Sequence, residues 1–178
     1  MHRPEWAGIV LAGAPGAGKR TTAFALGALG DRYVRFPALT TGRDVALDTE
    51  RVPRGRITEL RSWAQVFHEV VRDGAVLVHD HERLGRIRES GRLPVVTVDA
   101  VASLDAFARE STRWLPVLLR CPYDAGRSRL PRRQWARGYR ELERAQDRFA
   151  LAVRTDRLPV MVVAHLIHTV AQVGADSL

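Results

Sequence analysis

The chain has 178 residues, 46% of them hydrophobic and 27% charged, with a formal net charge of +8. That length fits one domain with a single substantial core. No apolar run approaches the ~20 residues a membrane-spanning helix needs, and the one cysteine, Cys121, excludes an internal disulfide.

The N-terminal Met1-His2-Arg3-Pro4-Glu5-Trp6 leads into the apolar Gly8-Ile9-Val10-Leu11-Ala12 without a signal-peptide cleavage site. With a lone cysteine, this predicts a protein of the reducing cytoplasm. The apolar run reads as a buried strand. It opens into Gly13-Ala14-Pro15-Gly16-Ala17-Gly18-Lys19-Arg20-Thr21, and a helix-compatible stretch follows from Thr22 to Leu29. Strand, glycine loop and helix is the layout of a phosphate-binding P-loop. Glycines let backbone N–H groups turn inward around an anion. The helix start adds unpaired N–H groups and a positive dipole end. Lys19, the only lysine, is placed to reach the β- and γ-phosphates. The candidate nucleotide-binding residues are Gly13, Ala14, Gly16, Ala17, Gly18, Lys19, Arg20 and Thr21. The usual metal-ligating hydroxyl directly after the lysine is replaced by Arg20, and the hydroxyl comes one residue later, at Thr21.

From Arg35 to Arg61 the chain is polar and carries six arginines, which predicts a subdomain outside the core or a mobile flap. Ser62 to Val71 has a serine start and apolar residues at helical spacing, and reads as a helix. Four further apolar runs read as strands: 75–78, 93–98, 114–119 and 149–153. Helices are predicted over Ser103–Arg109, Arg132–Asp147 and Pro159–Val173. Alternating strands and helices imply a three-layer α/β fold, a mostly parallel five-stranded sheet flanked by helices. Such sheets bind ligands at the carboxyl ends of their strands, where the glycine loop, Asp99 and Cys121-Pro122 all fall.

His79-Asp80-His81-Glu82 suggests a metal site, but adjacent strand side chains point to opposite faces. His165 and His168 are expected to pack or cap, and Trp63, Trp114 and Trp135 to serve the core or a helix face. The arginines are scattered without interleaved aromatics. A small polyanionic ligand therefore accounts for the charge better than nucleic acid does.

The loop G-x-P-G-x-G-K-x-T, with its threonine one place late, resembles that of nucleoside monophosphate kinases. Ala38-Leu39-Thr40-Thr41-Gly42-Arg43, Leu84-Gly85, the strand ending at Asp99, and Arg129-Leu130-x-x-Arg133 are similar to segments of guanylate kinase-like proteins. The resemblance implies a P-loop kinase using ATP and Mg²⁺, with an acceptor-binding subdomain at 35–90, a lid at 124–144, and a monomeric or homodimeric state. It implies that Lys19, Arg129, Arg133 and either Arg137 or Arg140 surround the transferred phosphoryl group, and that Thr21 holds phosphate or a magnesium-bound water. Arg35, Thr41, Arg43, Gly85 and Asp99 would bind the acceptor. The bland alternatives are a solvated helix face for Arg129 and Arg133 and a turn or helix cap for Asp99. Three departures stand out. The glutamate that reads guanine in that family would fall near His79, Tyr-Gly-Thr becomes Leu84-Gly85-Arg86, and the lid is several residues shorter. The acceptor thus stays open among a nucleoside monophosphate, a similar phosphorylated molecule and a hydroxyl of a specialised metabolite. Nucleotide sensing without turnover is a further alternative.

Overall fold

The computed structural model describes residues 6–42, 48–72, 74–126 and 131–173. In chain order its elements are β1 (Gly8–Ala12), α1 (Lys19–Ala28), β2 (Tyr33–Arg35), β3 (Ala38–Thr40), β4 (Thr49–Arg51) and α2 (Arg54–Ser62). There follow β5 (Val66–Arg72), β6 (Ala75–Asp80), α3 (His81–Glu89), β7 (Leu93–Val98), α4 (Val101–Glu110) and β8 (Trp114–Arg120). The chain ends in α5 (Arg132–Arg144), one 3-10 turn (Gln146–Arg148), β9 (Leu151–Arg154) and α6 (Val160–Val173).

Five parallel strands form the main sheet in the order β2-β7-β1-β8-β9. β1 is central and buried along its whole length, as a parallel strand covered on both faces must be. Its side chains alternate between two cores. Ile9 and Leu11 pack with Leu26 of α1 and Val163 and Ile167 of α6. Val10 and Ala12 pack on the other face with Leu84 of α3, Leu104 and Phe107 of α4, and Leu142 of α5.

A second sheet, in the order β4-β3-β6-β5, pairs β3 with β4 in parallel and β6 antiparallel to both β3 and β5. Here the structure corrects three expectations. The predicted 75–78 strand belongs to this second sheet, and β2 takes the fifth place in the main one. Ser62–Val71 is not a helix. Ala64 adopts a left-handed conformation at φ 51°, which ends α2, and the β-branched Val66, Val70 and Val71 then pair with β6. In the described part of Arg35–Arg61, Leu39, Ile57 and Leu60 bury themselves with Val78 in a small core of their own. The long predicted helix over 132–147 stops at Arg144.

One arginine fastens the second sheet to the first. Arg83 donates to Asp80 Oδ2 (2.7 Å), Glu50 Oε2 (3.1 Å) and the Pro37 carbonyl (2.9 Å). Fully buried Asp80 also caps α3 by accepting from the Arg83 N–H at 2.9 Å. The Asp80→Ala variant leaves Arg83 with Glu50 as its one carboxylate partner and α3 without its cap, a loss of about 2–5 kcal/mol of unfolding free energy. Urea denaturation checks this, and a midpoint unchanged from wild type contradicts it.

Candidate functional site

β1 ends at Ala12, and the chain turns through residues 13–18 into α1. A Cβ at Gly13 would lie 2.6 Å from the Leu119 carbonyl oxygen, so only glycine lets the loop pass this close to β8. Gly16 and Gly18 take left-handed conformations at φ 88° and 82°. The loop is held from outside. Thr155 Oγ1 lies 3.0 Å from the Ala17 carbonyl oxygen, and Trp135 Nε1 donates to Pro15 O at 3.1 Å. Among the described residues, the N–H groups of Gly16, Gly18, Lys19 and Arg20 have no acceptor. The loop is therefore an open cradle of donors rather than a collapsed turn.

Lys19 points its amine into that cradle. Nζ donates to Gly13 O (2.7 Å) and Ala14 O (3.2 Å) and lies 2.5 Å from Asp99 Oδ1. The other carboxylate oxygen of Asp99 lies 2.6 Å from Arg72 at the end of β5. Burial alone would push the Asp99 carboxyl up. The Lys19 and Arg72 charges, with the hydrogen bond from Lys19, outweigh that and hold it below the usual carboxylate range. All three amine hydrogens have acceptors. An incoming phosphate must displace at least one.

Next to this ion triad, a cleft runs between the two sheets. Arg20, Arg35 and Arg72 stand on its walls with Asp48, Thr49 and Thr97, and His68, His79 and Ser103 line it as well. The deeper groups are neutral. His68 is lowered to about 4 by burial and, secondarily, by the Arg72 charge. His79 is also held well below its ordinary value, by burial first and then by its neighbours His68 and Arg83. His68 bridges two neighbours, with Nε2 3.0 Å from Ser103 Oγ and Nδ1 3.0 Å from His79 Nδ1.

The structure places the sequence-predicted residues unevenly. It brings together Lys19, Asp99, Arg20 and Arg35 around the loop and cleft. Arg35 also lies 4.2 Å from the centre of the Phe24 ring. Thr21 is exposed on the first turn of α1, and Thr41 follows the end of β3. Gly85 sits in α3, away from the cleft lining. Arg43 and Arg129 lie outside the described residues. Arg133, Arg137, Arg140 and Arg144 follow one another at helical spacing on the exposed face of α5. That face is opposite to Trp135, Tyr139 and Leu142, which turn inward. This conformation does not bring Arg133 or Arg140 to Lys19. Among the described residues no group of His, Cys, Asp and Glu could hold a metal ion, and Asp80 of the 79–82 run is the α3 cap.

Sequence reasoning passed over Arg72, Asp48, Trp135 and the His68–Ser103 contact. Arg72 lies just past a run that reads as a helix, and Asp48 belongs to no motif. The histidines meet only through β5–β6 pairing and the approach of α4.

No family model matches the chain, and no curated protein matches it in sequence. Among solved structures, guanylate kinase from Anaplasma phagocytophilum superposes with a TM-score of 0.67 at 15% identity, over 96% of this chain and 87% of that one. An unliganded sugar kinase from Janibacter sp. superposes with a TM-score of 0.53 at 14% identity, over 97% of this chain and 99% of that one. The fold is that of the P-loop kinases. No helix among the described residues is long and apolar enough to cross a membrane.

The neutral histidines make stability pH-dependent. Folded His68 resists a proton until pH is about 4, whereas the unfolded ring binds one near 6.5. Its contribution is complete above pH ~6.5 and is lost as pH falls from there toward 4, by up to roughly 3 kcal/mol. Urea midpoints measured at pH 7.5 and pH 5 should drop more for the wild type than for His68→Gln. Equal drops would show that the folded ring titrates normally.

Proposed function

We propose that the protein is an ATP-dependent phosphotransferase that moves the γ-phosphoryl group to a small phosphorylated acceptor, a class that includes nucleoside monophosphates. One observation carries this reading. The donor cradle around Lys19 opens beside a cleft walled by three arginines, with Asp99 at the junction. The cradle suits a polyphosphate and the cleft a second, smaller anion.

Phosphoryl transfer asks a protein mainly for alignment and positive charge. The loop N–H groups would hold the β-phosphate, and the Lys19 amine would leave Asp99 to bridge the β- and γ-phosphates. Arg72 and Arg20 stand on the acceptor side and would balance charge as the phosphoryl group moves. Mg²⁺ fits such a site as a companion of the triphosphate. Asp99 is the nearest carboxylate and would hold a metal-bound water, Thr21 offers a hydroxyl on the first turn of α1, and the ion would supply charge neutralisation. The α5 arginines would complete the site by swinging toward Lys19.

The test is ADP formation from ATP and Mg²⁺ across a set of phosphorylated acceptors, with ATP affinity measured by calorimetry. Lys19→Ala removes charge-assisted hydrogen bonds worth roughly 1.5–3 kcal/mol, so ATP affinity should fall about tenfold to a hundredfold and turnover should vanish. Chelating Mg²⁺ with EDTA should also stop turnover. Wild-type protein that binds neither ATP nor GTP would sink the reading.

A further inference from the structure

The cleft contains a carboxylate that the reading above leaves without a task. Asp48 precedes β4 and lines the cleft. Its described contact is a hydrogen bond from Thr97 Oγ1 to Oδ2, long at 3.3 Å. Other carboxylates nearby are neutralised: Asp99 by Lys19 and Arg72, Asp80 by Arg83, and Glu69 by Arg61. No described cation pairs with Asp48, in a chain whose net charge is +8.

Its position is specific. Thr97 is in register with Leu11 of β1, two residues ahead of Gly13. Asp99 lies two residues beyond Thr97, a span of roughly 7 Å along an extended chain, and Asp99 holds the Lys19 amine. Asp48 thus stands in the cleft beside the strand that ends at Asp99, on the acceptor side of the phosphate cradle.

The surroundings suit hydroxyl groups. Thr49, Thr97 and Ser103 line the same cleft. Ser103 Oγ meets His68 Nε2 at 3.0 Å and, whichever of the two donates, retains a lone pair for a ligand O–H.

The two nucleophiles open to such a kinase differ in what they need. A phosphate oxygen is already anionic at neutral pH, needs no base, and is repelled by a nearby carboxylate. An alcohol must lose its proton as it attacks, and a carboxylate within hydrogen-bond reach takes it. We propose that Asp48 is the proton acceptor for a hydroxyl nucleophile, so that the substrate is a small phosphorylated polyol rather than a nucleotide attacking through its phosphate. The acceptor O–H bond breaks toward Asp48 as its oxygen bonds to the γ-phosphorus of ATP. The bond from that phosphorus to the β,γ-bridging oxygen breaks with its electron pair leaving on ADP. Asp48 then returns the proton to solvent, and the products are a polyol bisphosphate and ADP. The phosphate already on the polyol lies toward Arg20 and Arg35.

This inference rests on the phosphotransferase reading, and one experiment separates the two. Wild type, Asp48→Asn and Asp48→Glu are assayed for ADP formation with Mg²⁺ and ATP. One set of acceptors is ribose 5-phosphate, glucose 6-phosphate, gluconate 6-phosphate and glycerol 3-phosphate; the other is AMP, GMP, CMP and UMP. ATP affinity of each protein is taken by calorimetry. Turnover is expected with a member of the first set. Asp48→Asn should lower kcat about 10²–10⁴-fold with KM within about threefold, while Asp48→Glu keeps a carboxylate and loses less. Calorimetry should give the same ATP affinity for all three, which also establishes that the variants fold. Turnover with nucleoside monophosphates, turnover with neither set, or an Asp48→Asn kcat within tenfold of wild type overturns the assignment of Asp48. If ATP still binds in those cases, the nucleotide site stands without it; if ATP does not bind, both readings fall.

Discussion

One carboxylate joins the two halves of this molecule. Asp99 leaves the end of β7 and gives one oxygen to Lys19 and the other to Arg72. Lys19 belongs to the glycine loop of the main sheet, and Arg72 to the far end of the second sheet. A partly buried carboxylate between two cations is well compensated, so the loop, the strand end and the subdomain are held in one electrostatic arrangement. Any anion entering the loop competes with Asp99 for the amine. Drawing Lys19 away leaves Asp99 with Arg72 alone, so occupation of the cradle is felt directly at the mouth of the cleft.

The cleft is graded in polarity for physical reasons. Its rim carries arginines that reach water, and its depth carries rings and hydroxyls that cannot hold charge. His68 and His79 lie among Phe36, Phe67 and Phe107. An ion there would be costly, so both rings stay neutral and hydrogen-bond to each other and to Ser103. A ligand entering this space meets charge first and directional hydrogen bonds last.

The helix that carries most of the arginines expected around the phosphoryl group, α5, is docked the other way round. Trp135 stacks on Tyr139 at 4.7 Å between ring centres and donates to the Pro15 carbonyl of the loop. The aromatic face of α5 therefore grips the phosphate loop, while Arg133, Arg137 and Arg140 face solvent. Bringing those guanidinium groups to Lys19 requires α5 to rotate and the indole to release Pro15.

Local chemistry alone was enough to read the glycine loop, the central strand before it and the helix after it. Gly13, Gly16 and Gly18 are demanded by a close backbone approach and left-handed conformations, which only glycine meets cheaply, and Lys19 has no competitor of its own type. The apolar runs at 93–98 and 114–119 were legible because a strand buried on both faces needs little but hydrophobic length. Tertiary structure decided what depends on partners distant in sequence. Val66–Arg72 became a strand because β6 offered it a ladder, although its spacing also suits a helix. β2, only three residues long, took a place in the main sheet because β7 was there to pair with it. Asp48, the β5 pair His68 and Arg72, and Ser103 meet only once two sheets face each other, since they come from three separate stretches of chain and no spacing rule links those stretches.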